Sequence, residues 1–431
     1  MRYRFYIAVL TMLAGLPAQA QSRLVAPHDL SGAGVAAHMR EFSASTDEVE
    51  ELAKAGIRIL RTDLFWDATE KKRGQYDWSS YDYKLRHLAK YNIRPLLILD
   101  YSNPLYTGDT NTHVPPRTAQ EIAAFTEWAA AAVEHFTPLN PIWEVWNEPD
   151  IPQFWQPAPA VEEYVALALP TCEAIRATVP DATIIGPALA IAPVESNIDS
   201  QVFARLVLRN GPLMKCLDAF SFHPYRDKPP ETFLTDMAFY KSLAADGKSF
   251  TRVEKPFVVT EWGYSTYTEG GELKIDEATK AAYLVRQRLV AILAGLPLVV
   301  IYNWQDRGDD SANREFNYGI IDTKGTPKLS WRALAQLTTE LADYNFDKVL
   351  SAEDGRYALA FKSAAGDNKI VAWCVDGEGT LVVRGPAPQN VTSIIGDTIA
   401  VAAGDGGVSL RVGADPIYVD LGGGTPDIQF R

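Results

Sequence analysis

The chain of 431 residues contains few residues of the kinds that bind metal ions, with only 6 His and 3 Cys. A metal-dependent hydrolase needs several such ligands, and only His38 and His223 are placed for that role at the ends of predicted strands. The sequence also lacks a G-x-G-x-x-G or Walker motif, which excludes the common nucleotide-binding sites. We therefore predict no metal ion and no cofactor.

Basic charge is also scarce. Lys and Arg number 41 against 54 Asp and Glu, which gives a formal net charge of −13 and a pI near 5.0. Because no basic stripe offsets this balance, we expect no nucleic-acid partner and no association with anionic membrane surfaces. A strongly anionic polysaccharide is disfavoured as a ligand for the same reason.

The three cysteines have no metal-ligand spacing, and an odd number leaves at least one of them unpaired. Cys172 lies on the apolar face of a helical stretch with Ile175, which favours a small buried hydrophobic side chain. A disulfide between Cys172 and Cys216 is the alternative, and Cys374 completes the set.

The first twenty residues have the pattern of a secretory signal peptide. Arg2 and Arg4 precede the apolar run Phe5–Leu16, which is short for a membrane span, and Ala18-Gln19-Ala20 has the form of a cleavage site. We predict that residues 1–20 are removed, and that the mature chain is periplasmic or secreted and free of the membrane. An uncleaved anchor is the alternative.

Residues 21–345 are assigned to one domain, in which residues 32–345 alternate short apolar runs with amphipathic helical stretches such as 45–55 and 119–135. This alternation predicts βα units around a parallel sheet. The candidate strands are eight runs: 32–38, 58–63, 94–99, 142–146, 183–186, 219–223, 257–260 and 298–303. Eight repeats favour an α/β fold of the closed (β/α)₈ TIM-barrel type over an open doubly wound sheet.

Residues 346–431 differ in composition. Short β-branched segments are separated by Gly, Asp, Asn and Pro, and helical periodicity is missing. The candidate strands are 357–362, 369–375, 380–384, 391–395, 398–402, 408–412 and 417–421. They predict a small C-terminal β-sandwich that packs against the barrel, since its one tryptophan, Trp373, gives little support to a carbohydrate-binding role.

Polar and aromatic residues follow the predicted strands at the barrel end where active sites of this fold lie. Glu148 follows strand four in Trp146-Asn147-Glu148-Pro149, and Glu261 follows strand seven in Thr260-Glu261-Trp262-Gly263. Glycoside hydrolysis with retention needs two carboxyl groups about 5–5.5 Å apart. The sequence therefore predicts that these two glutamates form a catalytic pair.

The two glutamate motifs resemble those of clan A glycoside hydrolases, which place Asn-Glu after strand four and a second Glu after strand seven. A barrel joined to a sandwich, and the segment Ser221-Phe222-His223-Pro224-Tyr225, make the chain most similar to family 39 of that clan, in particular to bacterial endoglycosidases of exopolysaccharide and biofilm loci. The resemblance covers essentially the whole mature chain. It implies an enzyme, a retaining O-glycosyl hydrolase.

The resemblance also implies roles for individual residues. Glu148 is expected to be the general acid/base and Glu261 the nucleophile. Asn147 is expected to bind the hydroxyl beside the anomeric carbon, while Arg61 and Tyr225 hold Glu261. The remaining candidates for substrate binding are His223, which braces the pocket, and the aromatic residues Trp66, Tyr101, Trp155 and Trp304. Glu144 is interpreted as structural.

The expected partner is a polysaccharide or oligosaccharide, cut internally by a monomeric enzyme. One alternative is an exo-acting family 39 glycosidase of the xyloside or iduronide type. Another is a catalytically silent polysaccharide-binding barrel, which the presence of both glutamates disfavours. The sequence does not define the sugar or the linkage.

Overall fold

A computed structural model describes Leu24 and residues 32–39, 42–193, 197–269, 274–385, 387–401, 403–404, 407–425 and 427–431. The predicted signal peptide lies outside the described residues. Within them, none of the helices combines the length and the apolar character that a membrane crossing needs.

Eight parallel strands form a closed barrel. In chain order, barrel strands 1 to 8 are Ala33–Ala36, Ile59–Phe65, Arg94–Asp100, Ile142–Val145, Thr183–Leu189, Ala219–Phe222, Phe257–Trp262 and Val299–Ile301. Each strand pairs with its neighbours in sequence, and strand 8 closes the barrel against strand 1. The predicted TIM barrel is confirmed, and every candidate strand is present within a few residues of its predicted ends.

Helices surround the barrel. The α-helices of the described residues are Thr46–Lys54, Trp66–Thr69, Ser79–Lys90, Pro104–Thr107, Ala119–Phe136, Val161–Thr178, Ile198–Leu208, Gly211–Cys216, Thr232–Thr251, Glu277–Ala294 and Leu329–Leu341. Short 3₁₀ turns lie at Thr137–Leu139 and Arg314–Phe316, and a small hairpin pairs Glu70–Lys72 with Gln75–Tyr76. The helix 119–136 begins with a capping box of Thr118 and Glu121, which satisfies backbone N–H groups that have no partner inside the helix.

The barrel interior is layered, because successive residues of a strand face opposite sides. An apolar layer at the lower end includes Ile59 on strand 2 and Ile142 on strand 4. Two residues further along the same strands come Arg61 and Glu144, both buried. The apolar layer closes the barrel from below, so the polar layer lies directly under the barrel mouth.

The C-terminal part consists of two antiparallel sheets that enclose their own apolar core. One sheet has the order Tyr344–Glu353, Arg356–Ser363, Asn368–Cys374, Ile417–Gly422 and Asn390–Thr392, and the other Ala403–Gly404, Gly407–Val412, Gly379–Val383 and Ile428–Phe430. The predicted β-sandwich is confirmed. Strands 344–353 and 428–430 were not predicted, and the predicted strand 398–402 was wrong, since its described residues form only a bridge from Thr398 to Thr392.

The sandwich packs on the barrel through a buried polar contact. Trp373 is fully buried, and its Nε1 donates to Glu231 Oε1 at 2.7 Å. Arg286, on helix 277–294, donates to the same carboxylate from Nε at 2.7 Å and reaches the sandwich at Ala414 O at 3.4 Å. The predicted packing of the sandwich against the barrel is therefore confirmed.

Cys172 and Cys216 form a disulfide, with their Cα atoms 6.2 Å apart, that links helix 161–178 to helix 211–216. The preferred interpretation of Cys172 as a free hydrophobic side chain was wrong. Its helical face does point into the core, but the packing of the next helices brings Cys216 to the same place. Cys374 is unpaired and buried.

Candidate active site

Glu148 reaches the barrel mouth through an unusual backbone at the end of strand 4. Trp146 and Glu148 have φ of 69° and 44°, in the left-handed region that non-glycine residues seldom adopt. The Glu148 N–H donates to Ala188 O at 3.1 Å, which fixes the turn against strand 5. Such strained positions occur at functional sites, where the surrounding structure holds them.

Glu261 lies on strand 7, and both of its carboxylate oxygens have protein donors. The hydroxyl of Tyr225 donates to Oε2 at 2.8 Å, and Arg61 Nη1 donates to Oε1. Arg61 also donates from Nη2 to Asn147 Oδ1 at 2.8 Å. The predicted neighbours of Glu261 are thus brought together as expected, while their roles toward a substrate stay predictions.

The two glutamates face each other across the mouth with His223 between them. His223 Nδ1 is 2.7 Å from Glu148 Oε1 and 3.9 Å from Glu261 Oε2. One oxygen of each carboxylate and one His223 nitrogen lie within 4.8 Å of one another. Retaining enzymes separate their carboxyl groups by about 5–5.5 Å, whereas inverting enzymes need about 6.5–9.5 Å to admit a water. The predicted short separation is confirmed.

Glu148, His223 and Glu261 also have the composition of a three-ligand metal site. Hydrogen bonding already accounts for their clustering. Glu148 Oε1 is paired with His223, and both oxygens of Glu261 accept from Arg61 and Tyr225. A cation bound here would have to displace these donors, and the guanidinium already supplies the positive charge that a metal would bring.

The surroundings of the two glutamates move their pKa values in opposite directions. Burial raises the pKa of Glu148, and the hydrogen bond to His223 offsets this only in part. Burial acts in the same sense on Glu261, but the charges of His223 and Arg61 and the bond from Tyr225 outweigh it and lower the pKa. Separated pKa values are the pattern by which a pair of carboxyl groups divides into an acid and a nucleophile.

Three tryptophans do not take the place that the sequence predicted. Trp66, Trp155 and Trp304 are 0%, 0% and 2% exposed, so no sugar ring can stack on them. Each indole N–H instead donates to a carboxylate, of Glu70 at 2.6 Å, Glu163 at 3.1 Å and Glu48 at 3.0 Å. The prediction that they bind substrate was wrong, because rings of this size, with their N–H groups paired, pack beneath the rim as core.

Other aromatic residues line the cavity above the glutamates. Its volume is about 560 Å³, within the range of small-molecule sites. The aromatic residues that line it are Tyr101, Phe154, Tyr225, Tyr302 and Tyr318, and charged residues beyond the two glutamates include Asp63, Arg307, Arg314 and Glu315. Tyr101 thus lies where it was predicted. Tyr302 and Tyr318 were not predicted as site residues.

Asp63 and Asp100 form a second pair of carboxyl groups at the cavity. Asp63 lines the cavity, and Asp100 is fully buried behind it. Burial, and then the neighbouring Asp63, raise the pKa of Asp100 well above its ordinary value. The raised pKa favours the neutral form of the Asp100 carboxyl group.

No protein-family model matches the sequence, and no curated protein matches it either. Solved structures do match. A family 39 glycoside hydrolase from the gut symbiont Bacteroides cellulosilyticus WH2 superposes with a TM-score of 0.75 at 23% identity, over 91% of this chain and 81% of the other. This chain shares its fold with that enzyme. A family 30 endoxylanase from Clostridium papyrosolvens C71 gives 0.60 at 12% identity, over 92% and 98%. A family 51 α-L-arabinofuranosidase from Bifidobacterium longum gives 0.58 at 13%, over 94% and 98%.

Proposed function

We propose that this chain is a retaining glycoside hydrolase that cleaves a polysaccharide by double displacement. The observation that carries the proposal is the pair Glu148 and Glu261, whose oxygens approach within 4.8 Å in surroundings that separate their pKa values. The fold shared with clan A glycoside hydrolases supports the same conclusion.

In the first step, ionised Glu261 attacks the anomeric carbon while Glu148 gives its proton to the departing glycosidic oxygen. The carbon–oxygen bond of the leaving group breaks, and an ester bond to Glu261 forms. In the second step, Glu148, now a carboxylate, takes a proton from water, which displaces Glu261 and restores both groups. Arg61 and Tyr225 orient the nucleophile in both steps.

The lining of the cavity supports internal cleavage of a neutral or weakly charged chain. Phe154 lies in the loop after strand 4, while Tyr302 directly follows strand 8, on the opposite side of the barrel, and both side chains are partly exposed. Sugar rings can therefore pack on aromatic faces on either side of the two glutamates. The family 30 match is itself an endoxylanase, although its sugar is not carried over to this chain. A bacterial exopolysaccharide is the substrate class that we propose.

We further propose a periplasmic or secreted monomer. The support is the signal-peptide pattern of residues 1–20 together with the bond between Cys172 and Cys216, since disulfides form and persist in oxidising compartments. Fractionation of cells that express the full chain tests the location, and light scattering of the purified protein tests the monomer.

The function is tested by incubating the protein with aryl glycosides and bacterial exopolysaccharides and reading product sizes by mass spectrometry. A series of oligosaccharides at early times is expected. Release of monosaccharide alone would support the exo-acting alternative instead. Proton NMR of the first product should show the anomeric configuration of the substrate. Binding of polymer with no product from any substrate would support the silent barrel. Glu254→Gln, which changes an exposed carboxylate, is the control.

A further inference from the structure

Glu144 is a third buried carboxylate, directly below the two glutamates of the proposed site. It is 0% exposed and does not line the cavity, so it cannot touch a substrate. It lies on strand 4, four residues before Glu148. Its two oxygens nevertheless accept hydrogen bonds that connect it, through other side chains, to both glutamates.

The first oxygen leads to Glu148. Thr260 Oγ1 donates to Glu144 Oε1 at 2.8 Å, and His223 Nε2 lies 3.1 Å from the same hydroxyl. A hydroxyl has one proton. Because that proton goes to the carboxylate, the hydroxyl can only accept from His223, whose Nε2 must carry the hydrogen.

The position of this hydrogen determines which of His223 and Glu148 donates the hydrogen bond between them. With the hydrogen on Nε2, neutral His223 presents a lone pair at Nδ1, which is 2.7 Å from Glu148 Oε1. While His223 is neutral, this lone pair accepts the proton of Glu148. When the proton passes to Nδ1, His223 becomes a cation and Glu148 a carboxylate, and the charge of that cation acts to lower the pKa of both glutamates. With the hydrogen fixed on Nε2, Glu148 and Nδ1 therefore share one proton, which stays available for a leaving group.

The second oxygen leads to Glu261. Arg61 Nε donates to Glu144 Oε2 at 2.7 Å, and the other two nitrogens of the same planar guanidinium donate to Glu261 and Asn147. Because the guanidinium is rigid and planar, fixing its Nε edge fixes the direction of the other bonds.

We propose that Glu144 is a positioning residue for both halves of the reaction, setting the tautomer of His223 through Thr260 and the plane of Arg61 directly. The inference rests on the proposed function for its effect on catalysis. The tautomer itself can be measured without any substrate.

The test compares Thr260→Val with Thr260→Ser. Valine removes the acceptor for the Nε2 hydrogen without changing the size of the side chain much, so His223 should change to the Nδ1–H tautomer. Serine keeps the hydroxyl and should keep the tautomer. ¹⁵N NMR of histidine-labelled protein distinguishes the two forms, and a His223→Gln sample assigns the signal among 6 histidines.

The tautomer should also appear in the pH profile. An N–H that donates to Glu148 stabilises its carboxylate and lowers its pKa. The limb of kcat/KM that falls as Glu148 loses its proton should therefore move to lower pH in Thr260→Val, by about one unit or more. The other titratable or charged groups near Glu148 and His223 are Glu261, Arg61, Asp150, Tyr101 and Tyr225. None of them is changed by the substitution.

Glu144→Gln provides a second, isosteric route. The amide NH₂ donates to Thr260, so the Thr260 hydroxyl turns and donates to His223 Nε2. The same Nδ1–H tautomer is expected, and it serves as the readout if Thr260→Val does not fold. An unchanged tautomer in both variants, or a changed one in Thr260→Ser, would overturn the inference. Failure of the wild type to cleave any glycoside would contradict the proposed function alone.

Discussion

Each half of the site contains a glutamate, and the surroundings of the two glutamates move their pKa values in opposite directions. The hydrogen-bonding side chain beside Glu148 is His223, whereas Glu261 accepts from a permanent cation, Arg61, and from a phenol, Tyr225. Burial is common to both, so burial alone cannot separate their pKa values. The partners decide in which direction each pKa moves.

The strongest test of this comparison removes the carboxylate of Glu261. Glu261→Gln leaves the site without a nucleophile, and no neighbouring group can replace it, so turnover should fall by roughly 10⁴-fold or more for every substrate. Initial rates with a polysaccharide and with an activated aryl glycoside measure the loss. Survival of the aryl glycoside reaction alone would exchange the two roles.

Removing the protonated half should give a selective defect. Glu148→Ala should lower cleavage of the polymer by about 10²–10⁴-fold, because a sugar alkoxide leaves poorly without a proton. Formation of the glycosyl-enzyme from an activated aryl glycoside should be affected much less, and the intermediate should accumulate. Azide needs no base and should restore turnover with a glycosyl azide as product. Azide rescue of Glu261→Gln with a glycosyl azide of retained configuration would instead exchange the two roles.

A smaller effect is expected when the charged half loses one donor. Tyr225→Phe removes a hydrogen bond to a carboxylate, which is worth about 1.5–3 kcal/mol and corresponds to roughly 10–150-fold in rate. Because this bond helps to lower the pKa of Glu261, its loss should raise that pKa. The acid limb of the pH profile, where Glu261 becomes protonated, should then move to higher pH. A uniform loss with an unshifted limb would mean that Tyr225 has no electrostatic role.

The smallest expected effect on catalysis separates two neighbours above the glutamates. Phe154 lines the cavity, whereas Trp155 is fully buried. Phe154→Ala should raise KM for the polymer by about 3–10-fold, the scale of one aromatic contact. Trp155→Ala should lower the free energy of unfolding by about 3–5 kcal/mol, as measured by thermal or denaturant unfolding. A KM effect confined to Trp155→Ala would reverse our correction of the tryptophans.

The barrel could be predicted because most residues of its strands are apolar and buried, as expected for a parallel sheet that is covered on both faces. The sandwich was predicted less completely. Strand 344–353 is largely exposed, so its residues show no apolar pattern, and the three residues of strand 428–430 are too few to show one. The disulfide depends on how helices 161–178 and 211–216 pack against each other. The sequence of either helix alone does not determine that packing.

The site shows a similar division. The two glutamates could be predicted because their motifs fix strand and position. The three tryptophans could not be assigned, since a place near the rim does not say which side of the backbone the ring takes. The role of Thr260 could not be predicted from the alternation of side chains along a strand. The pairing of strands 7 and 8 shifts register between Val299 and Ile301, beside Thr260 and Glu261. These two residues are adjacent, yet both of their side chains bond to residues of the barrel interior or mouth.

The contact of Trp373 with Glu231 determines whether the sandwich can be exchanged for another. Glu231 precedes helix 232–251, in the segment that follows His223 and Tyr225, and its carboxylate is buried with Arg286 as its cation. Loss of the indole N–H would leave a buried carboxylate short of one donor, which is costly. Chimeras that join this barrel to a sandwich without that tryptophan should therefore unfold at lower temperature than the parent. The barrel and the sandwich are therefore expected to behave as one structural unit, in which neither part can be exchanged without loss of stability.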